Sequence, residues 1–239
     1  NGAFAVSTRG VLISESSDTP RIAPLHAAGE VRIAETAITV EGQISGSEAG
    51  RPGVPLLLID GEYDSALRQG TLRGEGALSL ERDGVTVAKL APVLAPYYID
   101  LTGAVSYRGK ASFDGEVLSV SGEADMQNLA LRQTAAGDAR MTGRVKFAAA
   151  TGGAPVPLRL DLASVRVEDM SRAERFAPVT IEGPVTMVKR RIEAKFVARS
   201  ALPAIRGARL ANVDARFDIA KGEGEISADG DLAFAPGKL

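Results

Sequence analysis

Few residues in this chain have side chains suited to catalysis or metal binding, and their spacing argues against each chemistry in turn. His26 is the only histidine among 239 residues. Serine–histidine catalysis would need it beside an activated serine, and no G-x-S-x-G elbow is present. It stands two residues after Pro24 in what reads as a loop before a strand, so it is expected at the surface. One imidazole also leaves no cluster for a transition metal. The chain has no cysteine, which removes disulfides, thiolate metal sites and a cysteine nucleophile.

The acids need a closer check. Asp60 and Asp64 are spaced i, i+4, as are Asp214 and Asp218. On a strand that spacing puts both on one face, roughly 13 Å apart at about 3.3 Å per residue. Glycosidase carboxylate pairs sit about 5 Å apart when retaining and up to about 9.5 Å when inverting. These acids therefore read as a solvent face and as turn entries. Ala228-Asp229-Gly230-Asp231 resembles a single calcium-binding β-roll repeat but lacks the tandem copies such a site needs. The glycine groups Gly70/Gly74/Gly76 and Gly222/Gly224 have no amphipathic helix after them to present its N-terminus to a phosphate. Glycines inside strands instead permit bending or close approach of another backbone. No catalytic residue, metal site or cofactor is expected.

The elements behind these residues are strands. Apolar and polar residues alternate with period two in Ile38/Val40, Leu101/Gly103/Val105/Tyr107, Val145/Phe147, Leu158/Leu160/Leu162, Val165/Val167, Val179/Ile181 and Ile192/Ala194/Phe196/Ala198. The last stretch adds Val213/Ala215/Phe217/Ile219, then Gly224/Ile226/Ala228/Gly230/Leu232/Phe234. Turn signals separate the runs: Asp83-Gly84, Asp114-Gly115, Ala136-Gly137-Asp138, Thr151-Gly152-Gly153 and Lys221-Gly222-Glu223. Lys189-Arg190-Arg191 reads as a solvated hairpin tip, because three charges fall short of a lipid- or nucleic-acid-binding patch. Only Ala88–Tyr98 and Val167–Phe176 suggest helix, so at most two short helices are expected.

A repeat organises these strands. IDGEYD at Ile59–Asp64 matches VDARFD at Val213–Asp218 at an offset of 154 (213 − 59 = 154), and the match continues ungapped through Gly70/Gly224, Leu72/Ile226 and Leu78/Leu232. A long period with strand-like content signals β structure built by repetition. Residues 1–150 are read as a first β module and 151–239 as a second, truncated one, continuous with the first and cut from a longer array.

Net charge is −2, aromatics are 5% and Trp is absent. No basic field or stacking platform for nucleic acid follows from that composition. No segment reaches the roughly 18 apolar residues of a membrane span, so an anchor would lie outside these residues. One strand face is aliphatic and must meet something. Two sheets closing on each other would make a sandwich, whereas one sheet curling into a trough would offer its lining to acyl chains. The small residues Ala194, Ala198, Ala215, Gly224, Ala228 and Gly230 leave room for the second arrangement, but the residue pattern alone gives the closed sandwich or solenoid the edge.

Residues 74–147 carry a G-x-L-x-L strand (Gly76, Leu78, Leu80), an Asp83-Gly84 turn and an L-x-P-x-L segment (Leu90, Pro92, Leu94). A V-x-Y strand then follows a glycine (Gly103, Val105, Tyr107), and Leu232–Leu239 looks like the start of the same unit again. In this grammar the chain resembles the YdbH-like periplasmic family, related to the AsmA and TamB proteins of the Gram-negative cell envelope. It departs from the pattern at Tyr107, where Trp is common, and at Arg82-Asp83-Gly84, where Pro-Gly is frequent.

The resemblance implies an all-β fold: a long, curled antiparallel sheet forming an open, taco- or jelly-roll-like groove. It further implies a protein held in the inner membrane by an anchor outside this stretch, spanning the periplasm and carrying phospholipid between the two membranes. Outer-membrane or periplasmic protein partners are possible on that reading; catalysis, cofactors and nucleic acid are not expected. The lining candidates are Val105, Tyr107, Val145, Phe147, Leu158, Leu160, Leu162, Ile192, Phe196, Val213, Phe217, Ile219, Ile226, Leu232 and Phe234. The alternative is a structural, adhesive or glycan-binding sandwich or solenoid segment with a closed core.

Overall fold

Long runs of alternating residues make long strands, and in a computed structural model of the chain every regular element among the described residues is a strand. The structure describes residues 3–14, 16, 23–48, 51–80, 98–133, 137–151, 157–170, 178–189, 191–200, 209–218 and 221–230. The first half holds β1 (Ala3–Ile13), β2 (Leu25–Ala34), β3 (Ala37–Glu48), β4 (Arg51–Asp64), β5 (Gln69–Ser79) and β6 (Tyr98–Asp114). The second holds β7 (Val117–Gln133), β8 (Gly137–Ala150), β9 (Pro157–Asp169), β10 (Val179–Val188), β11 (Arg191–Ser200), β12 (Arg209–Asp218) and β13 (Glu223–Gly230).

All thirteen form one antiparallel sheet in sequence order, a pure meander. The sheet is long and curled, and its ends do not meet. Strand contacts run between sequence neighbours, with a small additional set where β2 and β4 approach each other across β3. No second sheet covers the first among the described residues. The buried hydrophobic residues there are Leu80, Leu129, Val165, Ala194, Ala198, Ala211 and Val213. Seven residues, three of them alanine, are too few to fill a sandwich of this length.

Both helix candidates lie mostly outside the described residues, and the parts within them are extended. Tyr98 opens β6, and Val167–Asp169 complete β9. The acids of the second candidate suggested a helix start, but β-branched Val165 and Val167 continue the alternation and pair with Ile181 and Val179. Across the expected module boundary the ladder is unbroken: β8 pairs with β9 through Phe147↔Leu160 and Ala149↔Leu158.

Turn chemistry accounts for the tight hairpins. Gly115 and Gly222 take φ values of 60° and 68° at two expected turns, where a side chain would be strained. Lys189 follows β10 at φ 56°, placing its charge at a hairpin end. The two repeat copies become the β4–β5 and β12–β13 hairpins, and their aspartates have a local task. Asp64 Oδ1 accepts hydrogen bonds from the Ala66 and Leu67 amides at 2.9 and 3.0 Å. Asp218 Oδ1 accepts one from the Lys221 amide at 3.3 Å. The acids thus close turns.

Candidate functional site

A strand has two faces, and the ladders decide which residues of neighbouring strands share one. Following them from edge to edge gives the row Thr8–Gly29–Gly42–Ile59–Gly74–Gly109–Gly122–Phe147–Leu160–Val185–Ala194–Ala215–Ile226. The row beside it reads Val6–Val31–Val40–Gly61–Leu72–Ala111–Val120–Ala149–Leu158–Met187–Ile192–Phe217–Gly224. Apart from Thr8, every position in the two rows is apolar or glycine. Twelve strand intervals of about 4.8 Å make this surface roughly 58 Å long.

Two β-bulges keep the face apolar where the sequence changes parity. In β7 the apolar set runs on even numbers through Val120, Ala124 and Met126, then shifts to odd at Leu129. The ladder with β8 slips between Met126 and Leu129, and Asn128 sits at φ 50°. In β9 the shift falls between Leu162 and Val165, with Ser164 at φ 64°. A bulge inserts one residue and so restores the inward face after a change of parity. Opposite these bulges Gly103, Gly143 and Gly183 take φ of 113°, 146° and 144°, a line of strongly bent backbone across β6 to β10.

The glycines show which way the sheet curls. A Cβ built on Gly42, Gly61 or Gly224, all on the apolar face, would fall 2.6 to 2.7 Å from a carbonyl oxygen of the adjacent strand. Backbones converge on the concave side of a curl, so the apolar face is the concave one. Exposure agrees: in β8 the outer residues Arg144, Lys146 and Ala148 are exposed while Val145, Phe147 and Ala149 are half-buried. Larger side chains lie over the glycine gaps. Tyr63 covers Gly70 and Phe217 covers Gly224, the same contact at the same place in both repeat copies (63 + 154 = 217; 70 + 154 = 224). Tyr107 covers Gly76, and its hydroxyl donates to the Leu56 carbonyl. Burial there pushes the Tyr107 phenol above its usual range.

The convex face is charged and holds the register. Glu75, Arg108, Glu123, Lys146 and Asp161 face one another in sequence across β5 to β9, alternating in sign. Arg108 Nε donates to Glu123 at 2.6 Å and Arg144 Nε to Asp125 at 2.8 Å. The Arg32 guanidinium, donating to Glu30 at 2.6 Å, holds that carboxyl below its usual range. A one-residue slip would set these charges opposite apolar residues and glycines and turn the apolar rows into water. Exposed pairs of this kind contribute little stability each; their main effect is on register. The local hollows of about 390 and 560 Å³ lie on this side, between ion-paired side chains such as Arg73 and Asp60. No group of three or more His, Cys, Asp or Glu residues able to hold a metal occurs among the described residues.

All twelve described lining candidates share the concave face. Val105 and Tyr107 stand on β6, Val145 and Phe147 on β8, Leu158, Leu160 and Leu162 on β9, Ile192 and Phe196 on β11, Val213 and Phe217 on β12, and Ile226 on β13. Ile219, Leu232 and Phe234 lie outside the described residues. The candidate set leaves out the same surface on β2 to β5 and on β7, including Val31, Val40, Leu72 and Val120, although Val40 and Leu72 already stood out as alternation and repeat positions. Alternation in those strands was the available signal, interrupted there by the glycines. His26 is a correction: it lies within β2 and is buried rather than in a surface loop, because β2 starts at Leu25 and pairs on both sides.

Comparison with known proteins found no matching family model, no matching curated protein and no matching solved structure.

Proposed function

We propose that this chain is a segment of a periplasm-spanning hydrophobic β-groove that carries phospholipid between the inner and outer membranes. The observation that supports this reading is the single apolar face, in register across thirteen strands and covered by no second layer among the described residues. An uncovered apolar surface of this extent needs a partner. An extended acyl chain is about 15 Å long, half a bilayer core, and would lie across about three strands. Each sheltered CH₂ gains about 0.8 kcal/mol relative to water. Repeated aliphatic rows of similar character suit sliding, since no single position holds a chain much more tightly than the next. The headgroup stays in water at the open seam. The periplasmic location and the inner-membrane anchor outside these residues come from the family resemblance. The role requires no catalytic residue and no cofactor. No observation favours the adhesive or glycan-binding sandwich, whose second sheet is missing among the described residues.

Native mass spectrometry of the protein purified from the cell envelope, followed by lipid extraction, tests the reading. Stoichiometric co-purifying phospholipid is the expected result. Protein that carries no lipid and takes none up from phosphatidylethanolamine vesicles would overturn it.

A further inference from the structure

The floor of the trough changes character halfway along. From β2 to β7 its central row is mostly glycine (Gly29, Gly42, Gly74, Gly109, Gly122), and from β8 onward it carries side chains beginning with Phe147. The Phe147 ring does not stand upright at that boundary. Its Cζ reaches back over two strands, occupying the place of a Gly122 side chain and lying 3.3 Å from where a Gly109 Cβ would sit. The ring is thus folded down into a seat made by two facing glycines. Tyr107 is also laid over a glycine, but its hydroxyl is anchored on Leu56. A phenyl ring has no such tether. If its seat fills, the ring must rise into the concave space.

The geometry points to Phe147 as the residue that decides whether the middle of the trough, β6 to β8, admits an acyl chain. Seated on Gly109 and Gly122, the ring forms part of the floor. Displaced from them, it obstructs the passage between the glycine-floored half and the aliphatic half. This assignment rests on the lipid reading above.

Gly109→Ala tests it with less backbone conflict than Gly122→Ala, whose methyl would collide with the Arg108 carbonyl oxygen. The added methyl would stand 3.0 Å from the Ser121 carbonyl oxygen and 3.3 Å from the ring, so the backbone and the untethered ring must each give by a few tenths of an ångström, which lifts the ring tip off its seat. The 239-residue protein is incubated with phosphatidylcholine vesicles whose acyl chains carry a diazirine, irradiated, and its lipid adducts are mapped by peptide mass spectrometry. Far-UV circular dichroism on every variant checks that the sheet is retained. Unmodified protein is expected to carry adducts on β2–β5, β6–β8 and β9–β12. Gly109→Ala is expected to lose those on β6–β8 alone, and Gly109→Ala/Phe147→Ala to regain them. A general structural defect would make the double variant worse instead. Unchanged central adducts in Gly109→Ala, or central adducts still missing in the double variant, would overturn the role of Phe147 while leaving the lipid reading intact. No adducts anywhere in the unmodified protein would overturn the lipid reading, and this inference with it.

Discussion

A negative charge placed on the concave face separates an open trough from a closed core, and Phe217 is the place to put it. Phe217 keeps 43% of its surface in water while lying over Gly224. Complete burial of a phenylalanine is worth about 1.5–3 kcal/mol. With a little over half of the side chain sheltered, Phe217→Asp should cost about 1–2 kcal/mol, the new carboxylate finding water at the open surface. In a closed core the deletion alone would cost about 3–5 kcal/mol, with several more for desolvating the charge. Urea unfolding followed by circular dichroism reads the global value. Hydrogen exchange in β12 and β13 catches any local opening of this edge hairpin. Lipid retained by the same variant, read by native mass spectrometry, should fall. A loss above about 4 kcal/mol with lipid content unchanged would refute the open-face reasoning.

Gly122→Ala should destabilise by about 1–3 kcal/mol in urea, since its methyl would collide with both the Arg108 carbonyl and the Phe147 ring. Asp64→Ala should cost about 1 kcal/mol in the same urea titrations by removing the acceptor for two turn amides. Stability linked to Tyr107 should be fully present below the ordinary phenol value near 10 and be lost as pH rises through its higher folded-state value. That slope should be absent from Tyr107→Phe in urea titrations at a series of alkaline pH values. Arg32→Gln should raise the Glu30 carboxyl toward its ordinary value. In the unmodified protein this group's contribution is present above the unfolded-state value and fades as pH falls through the lower folded one, which carboxyl NMR titration follows.

Much of the strand content and the apolar face could be read directly, because an antiparallel sheet with one wet face writes its orientation into every second residue. Leu158, Leu160 and Leu162 point the same way whatever surrounds them. Two things were harder to see. Glycines at Gly29, Gly42, Gly74 and Gly109 interrupt the hydrophobic signal, so the apolar face of β2 to β5 was not singled out. Bulges at Asn128 and Ser164 split single strands into runs of opposite parity that look like separate elements. His26 was misplaced for a related reason: nearby Pro24 marks a break, but β2 begins immediately after it at Leu25.

The sequence by itself determined that this is a β protein with one aliphatic side and with turns closed by glycine and aspartate. Periodicity is a property of the backbone and survives without knowledge of neighbours. Whether the aliphatic side meets a second sheet or stays open is a question of strand order, and alternation is identical in both cases. Only the tertiary structure decided it: each strand pairs with its sequence neighbours in one unbroken meander, and the glycines turn that single layer toward its apolar side.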